Sequence, residues 1–214
     1  MLDDSRTFYS KILLFGEYSI IKNSNALAMP YELFEGKLKF KQVNTDREVI
    51  PDRELRALCQ YLRSLVAEGN NLEIDLDSFE FDVGQGLYFH STIPQGHGVG
   101  SSGALSAAIY HRYGRDDKKD NQNITTLKGI LAKIEGHFHG SSSGIDPLIS
   151  YLNSSICLIE GINPIIVDLP KFPKGKGGMF LLNTGRARRT EPLVSLFLEK
   201  CKGKNFQRLC EKIV

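Results

Sequence analysis

The stretch that decides the fold runs Pro94-Gln95-Gly96-His97-Gly98-Val99-Gly100-Ser101-Ser102-Gly103-Ala104. It lies between an apolar run at Leu87–Ile93, which predicts a strand, and Gly103–Tyr113, which predicts a helix. Alternating glycines remove the Cβ atoms that would hold a ligand away from the backbone. The unpaired N–H groups at the start of the helix point into the same space, where the helix dipole is positive. The stretch therefore predicts an anion site, and phosphate is the usual occupant of such sites.

This glycine loop, as we call Pro94–Ala104, is not a Walker A loop. A Walker A loop requires Lys and then Ser or Thr after its last glycine, and here Ala104-Leu105 follow Gly103. The hydroxyls of Ser101 and Ser102 could supply oxygen contacts, including one to a phosphate-bound Mg²⁺. The alternative interpretation is a glycine-rich turn that binds nothing.

A second cluster of reactive residue types covers Glu135–Pro147, and it contains a G-x-S-x-G pattern at Gly140–Gly144. This is the pattern of the nucleophile elbow in hydrolases. The elbow requires a strand before the serine and a histidine after it, whereas a helix is predicted at Thr125–Phe138 and all 5 histidines precede Ser142. We therefore do not predict a hydrolase. His137 and His139 lack the i, i+4 spacing of a two-histidine metal site, so hydrogen-bonding histidines are predicted there.

Three charged residues stand in unusual places. Asp146 follows a Gly/Ser turn and precedes Pro147, so it is either a helix N-cap or a carboxylate that faces a substrate hydroxyl. Glu135 comes at the end of a predicted helix, where the dipole disfavours a negative charge and a bound cation would offset that cost. Lys11 lies in an apolar run that predicts a strand at Ser10–Phe15, where a solvent-facing edge position is the structural alternative.

Composition narrows the class of protein. The chain has 214 residues, of which 41% are hydrophobic and 24% charged, as in ordinary globular proteins. The net charge of +2, with acids and bases interspersed, gives no reason to expect a nucleic-acid partner. The acidic start Met1-Leu2-Asp3-Asp4 has no apolar h-region, and no apolar run reaches the ~18 residues of a membrane helix. The 4 cysteines form no C-x-x-C pair. We expect a cytoplasmic protein that has free thiols, no membrane partner and a small-molecule substrate.

The pattern along the chain predicts an α+β fold in two domains. Pro and Gly residues concentrate in Leu169–Gly178 and predict a linker, which divides the chain into 1–170 and 171–214. Besides the elements named above, we predict strands at Gly36–Val43, Leu72–Leu76, Ser155–Ile159, Ile165–Leu169 and Met179–Asn183, and helices at Asp52–Glu68 and Glu191–Lys200.

Four motifs together resemble the GHMP kinases, and within them the mevalonate kinases. The similarity lies in Lys11–Tyr18, in Pro94–Ala104, in Glu135 followed by His139–Asp146 with the pattern His-Gly-x-x-Ser-Gly-Ile-Asp, and in Leu182–Thr184 with Arg189–Val194. Their order and rough spacing cover most of the chain. The resemblance implies a GHMP kinase N-terminal domain, of the ribosomal protein S5 domain 2-like fold, over 1–170, and the start of an incomplete, ferredoxin-like C-terminal domain over 171–214.

The resemblance also implies an activity: transfer of the γ-phosphoryl group of MgATP to an alcohol, namely mevalonate, to give 5-phosphomevalonate. It implies ATP and Mg²⁺ as cofactors, and it keeps a homodimer as a candidate assembly. The implied catalytic residues are Asp146 and Lys11, and the implied Mg²⁺ ligands are Ser102 and Glu135. The implied ATP-binding residues are Pro94, Gly96, Gly98, Val99, Gly100, Ser101, Ser102 and Gly103. The residues implied to lie near the acceptor are Glu17, Tyr18, Gly144 and Thr190.

Three departures from the family pattern keep other activities open. Tyr9-Ser10 stands where the family has Pro-Gly, and Tyr18 stands where it has histidine, which bears on substrate recognition. The C-terminal glycine-rich motif of the family is missing, and Gly175–Gly178 precedes the predicted strand instead of following it. The alternatives are a GHMP-type kinase of phosphomevalonate or of a sugar, and a truncated nucleotide-binding protein without catalysis.

Overall fold

The computed structural model describes residues 6–22, 24–41, 50–115, 123–159, 163–170, 180, 182 and 190–211. Strands and helices alternate irregularly along these ranges, as an α+β fold requires. The strands are β1 (Phe8–Phe15), β2 (Ala26–Phe40), β3 (Leu87–Ser91), β4 (Ile156–Ile159) and β5 (Asn163–Ile166). The helices are α1 (Arg53–Ala67), α2 (Leu76–Gly84), α3 (Ser101–Tyr113), α4 (Ile124–His139), α5 (Ile145–Leu152), α6 (Thr190–Lys200) and α7 (Lys204–Glu211), with a short 3₁₀ helix at Ser19–Lys22.

In the described part of the chain the strands form one antiparallel sheet around the long strand β2. β1 pairs along one edge of β2, while β4 pairs with its beginning and β3 with its end. β5 continues the sheet beyond β4. The β1–β2 register shifts twice, between Tyr9 and Ser10 and between Leu13 and Phe15. Such irregularities bend a strand and redirect its side chains.

The core lies between the sheet and the helices, with α3 at its centre. Every residue of α3 from Gly103 to Tyr110 is buried, and α3 packs against α4, α5 and β1. Small residues make this possible, because a Cβ on Gly103 would lie 2.8 Å from the backbone carbon of Asp146 in α5. Close packing of α3 on α5 therefore fixes where the first turn of α5, with Asp146, lies along α3.

Most of the predicted elements are present, with shifted ends. Helix α1 begins after Asp52, whose side chain accepts hydrogen bonds from the N–H groups of Glu54 and Leu55, as its N-cap position predicts. The α+β fold class is confirmed. The boundary near residue 170 stays a prediction, because 171–179 lie outside the described residues, and the predicted strand at Met179–Asn183 has only Phe180 and Leu182 described.

One strand prediction is wrong, and another gives a strand that is too short. Leu72–Leu76 alternates like a strand, but Ile74 forms only an isolated bridge with Gly114, and Leu76 already belongs to α2. The side chain of Asp75 accepts a hydrogen bond from the N–H of Ser78 and caps that helix. The alternation of apolar residues did not indicate this cap. The strand predicted from Gly36 begins ten residues earlier, at Ala26, because small buried residues such as Ala26 and Ala28 give no strong strand pattern.

We expect Gly103→Ala to destabilise the fold by about 1–3 kcal/mol, since the new Cβ meets backbone atoms that cannot move aside. The matched control is Gly129→Ala in α4, where nothing lies within 4 Å of the added Cβ. That change should be neutral or stabilising by about 0.5–1 kcal/mol, because alanine favours helix over glycine. Urea unfolding of both variants measures the difference, and equal stabilities would contradict the packing argument.

Candidate active site

A buried ion pair joins the first strand to the helix that follows the Gly/Ser turn. Lys11 of β1 is 8% exposed, and its Nζ lies 3.0 Å from Oδ2 of Asp146 in the first turn of α5. Burial by itself lowers the pKa of Lys11, but the charge and hydrogen bond of Asp146 outweigh burial, so the pKa lies above its ordinary value. Lys11 is therefore a fixed positive charge, and the solvent-facing edge position considered from the sequence is wrong.

The glycine loop lies directly against Lys11. The backbone N–H of Lys11 donates to the carbonyl of Val99 at 2.9 Å. A Cβ on Gly100 would lie 2.8 Å from Cγ of Lys11, and Gly100 has φ of +83°. Both the close approach and the left-handed backbone conformation demand glycine at this position. The loop and the ammonium group therefore form one unit.

The backbone of the glycine loop opens towards the start of α3. Gly96, Gly98 and Gly100 all have positive φ, and residues 95–98 are exposed while Val99 and Gly100 are buried. The N-cap residue of α3 is Gly100, which has no side chain to cap the helix, and the first two residues of α3, Ser101 and Ser102, are half-buried. Successive left-handed glycines beside an uncapped helix end make a concave group of N–H donors suited to an anion.

The spacing Gly98-x-Gly100-x-x-Gly103 also matches the dinucleotide fingerprint, but the fold excludes that interpretation. The fingerprint belongs to a parallel βαβ unit, whereas β3, the strand before the loop, pairs antiparallel with β2. Gly103 is buried against α5, so its side of α3 serves helix packing and only its backbone N–H remains for a ligand.

Asp146 is held in place by the packing of α5. The helix begins at Ile145 after Gly144, which occupies the N-cap position with φ of +74°. Asp146 is thus not an N-cap, and that interpretation is wrong. Its side chain is 35% exposed, so one part pairs with Lys11 while another remains open to a ligand. Gly144 is required by packing, because a Cβ there would lie 2.2 Å from the carbonyl oxygen of Lys128 in α4.

Glu135 is a buried carboxylate next to this pair. It is 4% exposed, and Ser102 Oγ donates to its Oε1 at 3.1 Å. Burial, and then the negative charge of Asp146, raise the pKa of Glu135 to about 7, although Ser142, Ser102 and Lys11 act in the opposite direction. Because this carboxylate is costly to ionise, a positive charge bound beside it would stabilise its ionised form.

Ser142 was assigned no role in this site from the sequence, and His139 only that of a hydrogen-bonding histidine. Ser142 Oγ donates to Glu135 Oε2 and accepts from the N–H of Gly144 at 2.9 Å, so it links the turn to the carboxylate. His139 Nε2 lies 3.0 Å from Ser102 Oγ. Glu135 and His139 are four residues apart in a predicted helix, and this spacing could have indicated from the sequence that both side chains lie on one face. The structure also removes the hydrolase alternative, because helix α4 and not a strand precedes Ser142.

Of the residues predicted to lie near the acceptor, the described contacts place only some close to the Lys11–Asp146 pair. The negative charge of Glu17 contributes to the raised pKa of Lys11, so Glu17 lies close to the ion pair. Tyr18 has φ of +60°, and its ring lies 6.0 Å from that of Phe197 in α6, centroid to centroid. Thr190 begins α6, and its side chain is outside the described residues.

The residues present fit a magnesium ion shared with phosphate. Among the described residues no group of three or more His, Cys, Asp or Glu could hold a metal by itself. Mg²⁺, however, is commonly held by one or two carboxylates together with phosphate oxygens and waters. Ser102 and Glu135 would supply the protein oxygens beside the anion-binding loop, and the cation would satisfy the buried carboxylate.

We expect the free energy of unfolding to fall as the pH rises from 5 to 8, measured without nucleotide or divalent cation. The raised pKa of Glu135 means that the folded state holds this proton more tightly than the unfolded state. Its stabilising effect is therefore present below about pH 4.5 and is lost as the pH passes about 7. In Glu135→Gln the fall should be smaller by about 2–3 kcal/mol. Urea unfolding at several pH values between 5 and 8 measures this difference. The control is Glu32→Gln at an exposed position, whose free energy of unfolding should change with pH as in the unchanged chain.

A family comparison matches the middle of the chain. Residues 55–154 match the sequence model described as GHMP kinases N terminal domain. The matched range contains the glycine loop, Glu135 and Asp146, while Lys11 precedes it. A comparison with curated protein sequences finds no match. In the described ranges no helix is long and apolar enough to cross a membrane.

The structure is also similar to solved mevalonate kinase structures. For the L. major mevalonate kinase in complex with R-mevalonate, the TM-score is 0.54 at 18% identity, over 98% of this chain and 65% of that one. A second mevalonate kinase gives 0.56 at 15% identity, over 97% and 69% of the two chains. The Methanococcus jannaschii mevalonate kinase gives 0.52 at 16% identity, with the same coverage. At these identities the likeness is one of fold, and this chain spans 65% of the length of the first of them.

The family match contains two of the four motifs read from the sequence, the glycine loop and Glu135 with His139–Asp146. Residues 55–154 therefore match the GHMP kinase N-terminal domain, and the chain has the fold seen in solved mevalonate kinases.

Proposed function

We propose that this chain is a MgATP-dependent small-molecule kinase that transfers the γ-phosphoryl group to an alcohol. The observation that carries the proposal is the Lys11–Asp146 pair, with Nζ and Oδ2 3.0 Å apart, set against the carbonyl of Val99 in the glycine loop. An anion-binding loop, a fixed cation and a partly open carboxylate at one point are what phosphoryl transfer to a hydroxyl needs.

Each group has a distinct part in this chemistry. The N–H groups of the glycine loop and of the start of α3 hold the phosphates. Lys11 pairs with Asp146 and offsets the charge that develops on the transferred group. Asp146 orients the acceptor hydroxyl and takes its proton. Ser102 and Glu135 would hold Mg²⁺, which neutralises phosphate charge when it is bound.

Mevalonate is the proposed acceptor, with 5-phosphomevalonate as the product. The support is the fold shared with mevalonate kinases, one of which is described as a complex with R-mevalonate. Glu17 lies close to the ion pair, and it is proposed, with Tyr18, Gly144 and Thr190, to line the acceptor site. A phosphomevalonate or sugar acceptor would use the same Lys11–Asp146 chemistry, so the acceptor is decided by experiment.

In a coupled ADP-release assay over mevalonate, phosphomevalonate and sugars, we expect turnover with mevalonate. Asp146→Asn should reduce it by about 10²–10⁴-fold, because the neutral amide cannot take the proton. MgATP affinity, measured by calorimetry, should change only a few-fold. The matched control is Asp77→Asn, whose side chain is 89% exposed on α2, and it should retain full turnover.

Two results would contradict the proposal in different ways. Turnover that survives in Asp146→Asn would make the catalytic assignment wrong. An unchanged chain that binds MgATP but phosphorylates no acceptor in the panel would make it a nucleotide-binding protein instead.

A further inference from the structure

The hydroxyl of Ser102 has two neighbours that compete for its single hydrogen. Ser102 Oγ lies 3.1 Å from Glu135 Oε1 and 3.0 Å from His139 Nε2. A serine hydroxyl donates one hydrogen bond and keeps two lone pairs as acceptors. Only one of the two neighbours can therefore receive the hydrogen at a time, and the other must donate to the oxygen or go unsatisfied.

Cation binding decides between the two arrangements. A cation held by Ser102 and Glu135 takes a lone pair from each, so the hydroxyl hydrogen cannot remain between the two oxygens. It needs an acceptor on another side of Ser102. Among the contacts of Ser102 in the described structure, His139 Nε2 is placed to be that acceptor, because a neutral imidazole accepts at the nitrogen that carries no hydrogen.

We propose that His139 is a positioning residue for the cation site: its Nε2 accepts the Ser102 hydrogen and thereby turns an Oγ lone pair towards the cation. The inference rests on the proposed function, since it concerns the cation that accompanies the nucleotide. It assigns His139 a defined tautomer in the complex, with hydrogen on Nδ1 and none on Nε2. Groups that orient metal ligands in this way typically contribute 10–100-fold to metal affinity.

The backbone explains why His139 reaches Ser102. His139 is the last residue of α4, four positions after Glu135, so the two lie on one face of the helix. The chain then leaves through Gly140, which has φ of +73°. His139 is exposed, so substitution at this position leaves the core intact. His137 lies on another face, with its ring 5.2 Å from that of Tyr61, and serves as the matched control.

The experiment compares binding of Mn²⁺·ADP and of metal-free ADP to the full chain. Mn²⁺ release is followed by electron paramagnetic resonance, and ADP binding in EDTA is followed by calorimetry. His139→Leu, which has no acceptor, should bind Mn²⁺·ADP about 10–100-fold more weakly. His139→Gln should bind within a few-fold of the unchanged chain, because its amide oxygen can accept the hydrogen. His137→Gln should behave as the unchanged chain, and metal-free ADP should bind equally to all four.

The outcomes separate this inference from the proposed function. If the unchanged chain binds no Mn²⁺·ADP, both fail. If it binds and His139→Leu binds equally well, the inference is overturned while the proposed function stands. The inference is also overturned if His139→Leu weakens metal-free ADP by the same factor, since His139 would then act on the nucleotide or the fold. A ¹⁵N spectrum of the Mg²⁺·ADP complex should show Nε2 of His139 without hydrogen, and a protonated Nε2 would equally overturn it.

Discussion

A lysine ammonium group buried against the sheet is the constraint on which the rest of the site depends. Lys11 is 8% exposed, and an ammonium group taken out of water costs several kcal/mol unless a partner of opposite charge is supplied. Asp146 is that partner, at 3.0 Å. The pairing requires that β1, the glycine loop and α5 meet at one point, although their residues lie far apart in the chain. Packing and charge therefore specify the same geometry.

Glycine serves two different purposes in this arrangement. At Gly96 and Gly98 positive φ shapes an exposed loop, and for Gly98 no atom lies within 4 Å of an added Cβ. At Gly100, Gly103 and Gly144 an added Cβ would meet Lys11, Asp146 and Lys128 at 2.2 to 2.8 Å. The first group leaves room for a ligand, and the second group lets three elements approach closely enough to position the charges. The loop pattern in the sequence therefore encodes both binding and packing.

The two carboxylates of the site, Glu135 and Asp146, carry more negative charge than the neighbouring Lys11 compensates. Lys11 is a positive neighbour of both Glu135 and Asp146, and burial together with the negative charge of Asp146 raises the pKa of Glu135 to about 7. Hydroxyls of Ser102 and Ser142 compensate only in part. Such a carboxylate weakens the fold at neutral pH and strengthens the attraction for a cation. Perturbed carboxylates of this kind are typical of functional sites.

The sequence by itself determined the residue types and their local setting: the glycine loop before a helix, the reactive cluster at Glu135–Pro147, and a lysine in an apolar strand. These are short-range patterns, so helix caps such as Asp52 and strands such as β3 followed from them. The sequence did not reveal the length of β2, the helical state of Leu76–Gly84, or the Ser102–His139 and Ser142–Glu135 contacts. Whether Lys11 faced solvent or Asp146, and whether Asp146 capped a helix or met a lysine, was decided only by tertiary structure. The physical reason is that burial and ion pairing are set by elements packed from distant parts of the chain, whereas propensity and periodicity act over a few residues.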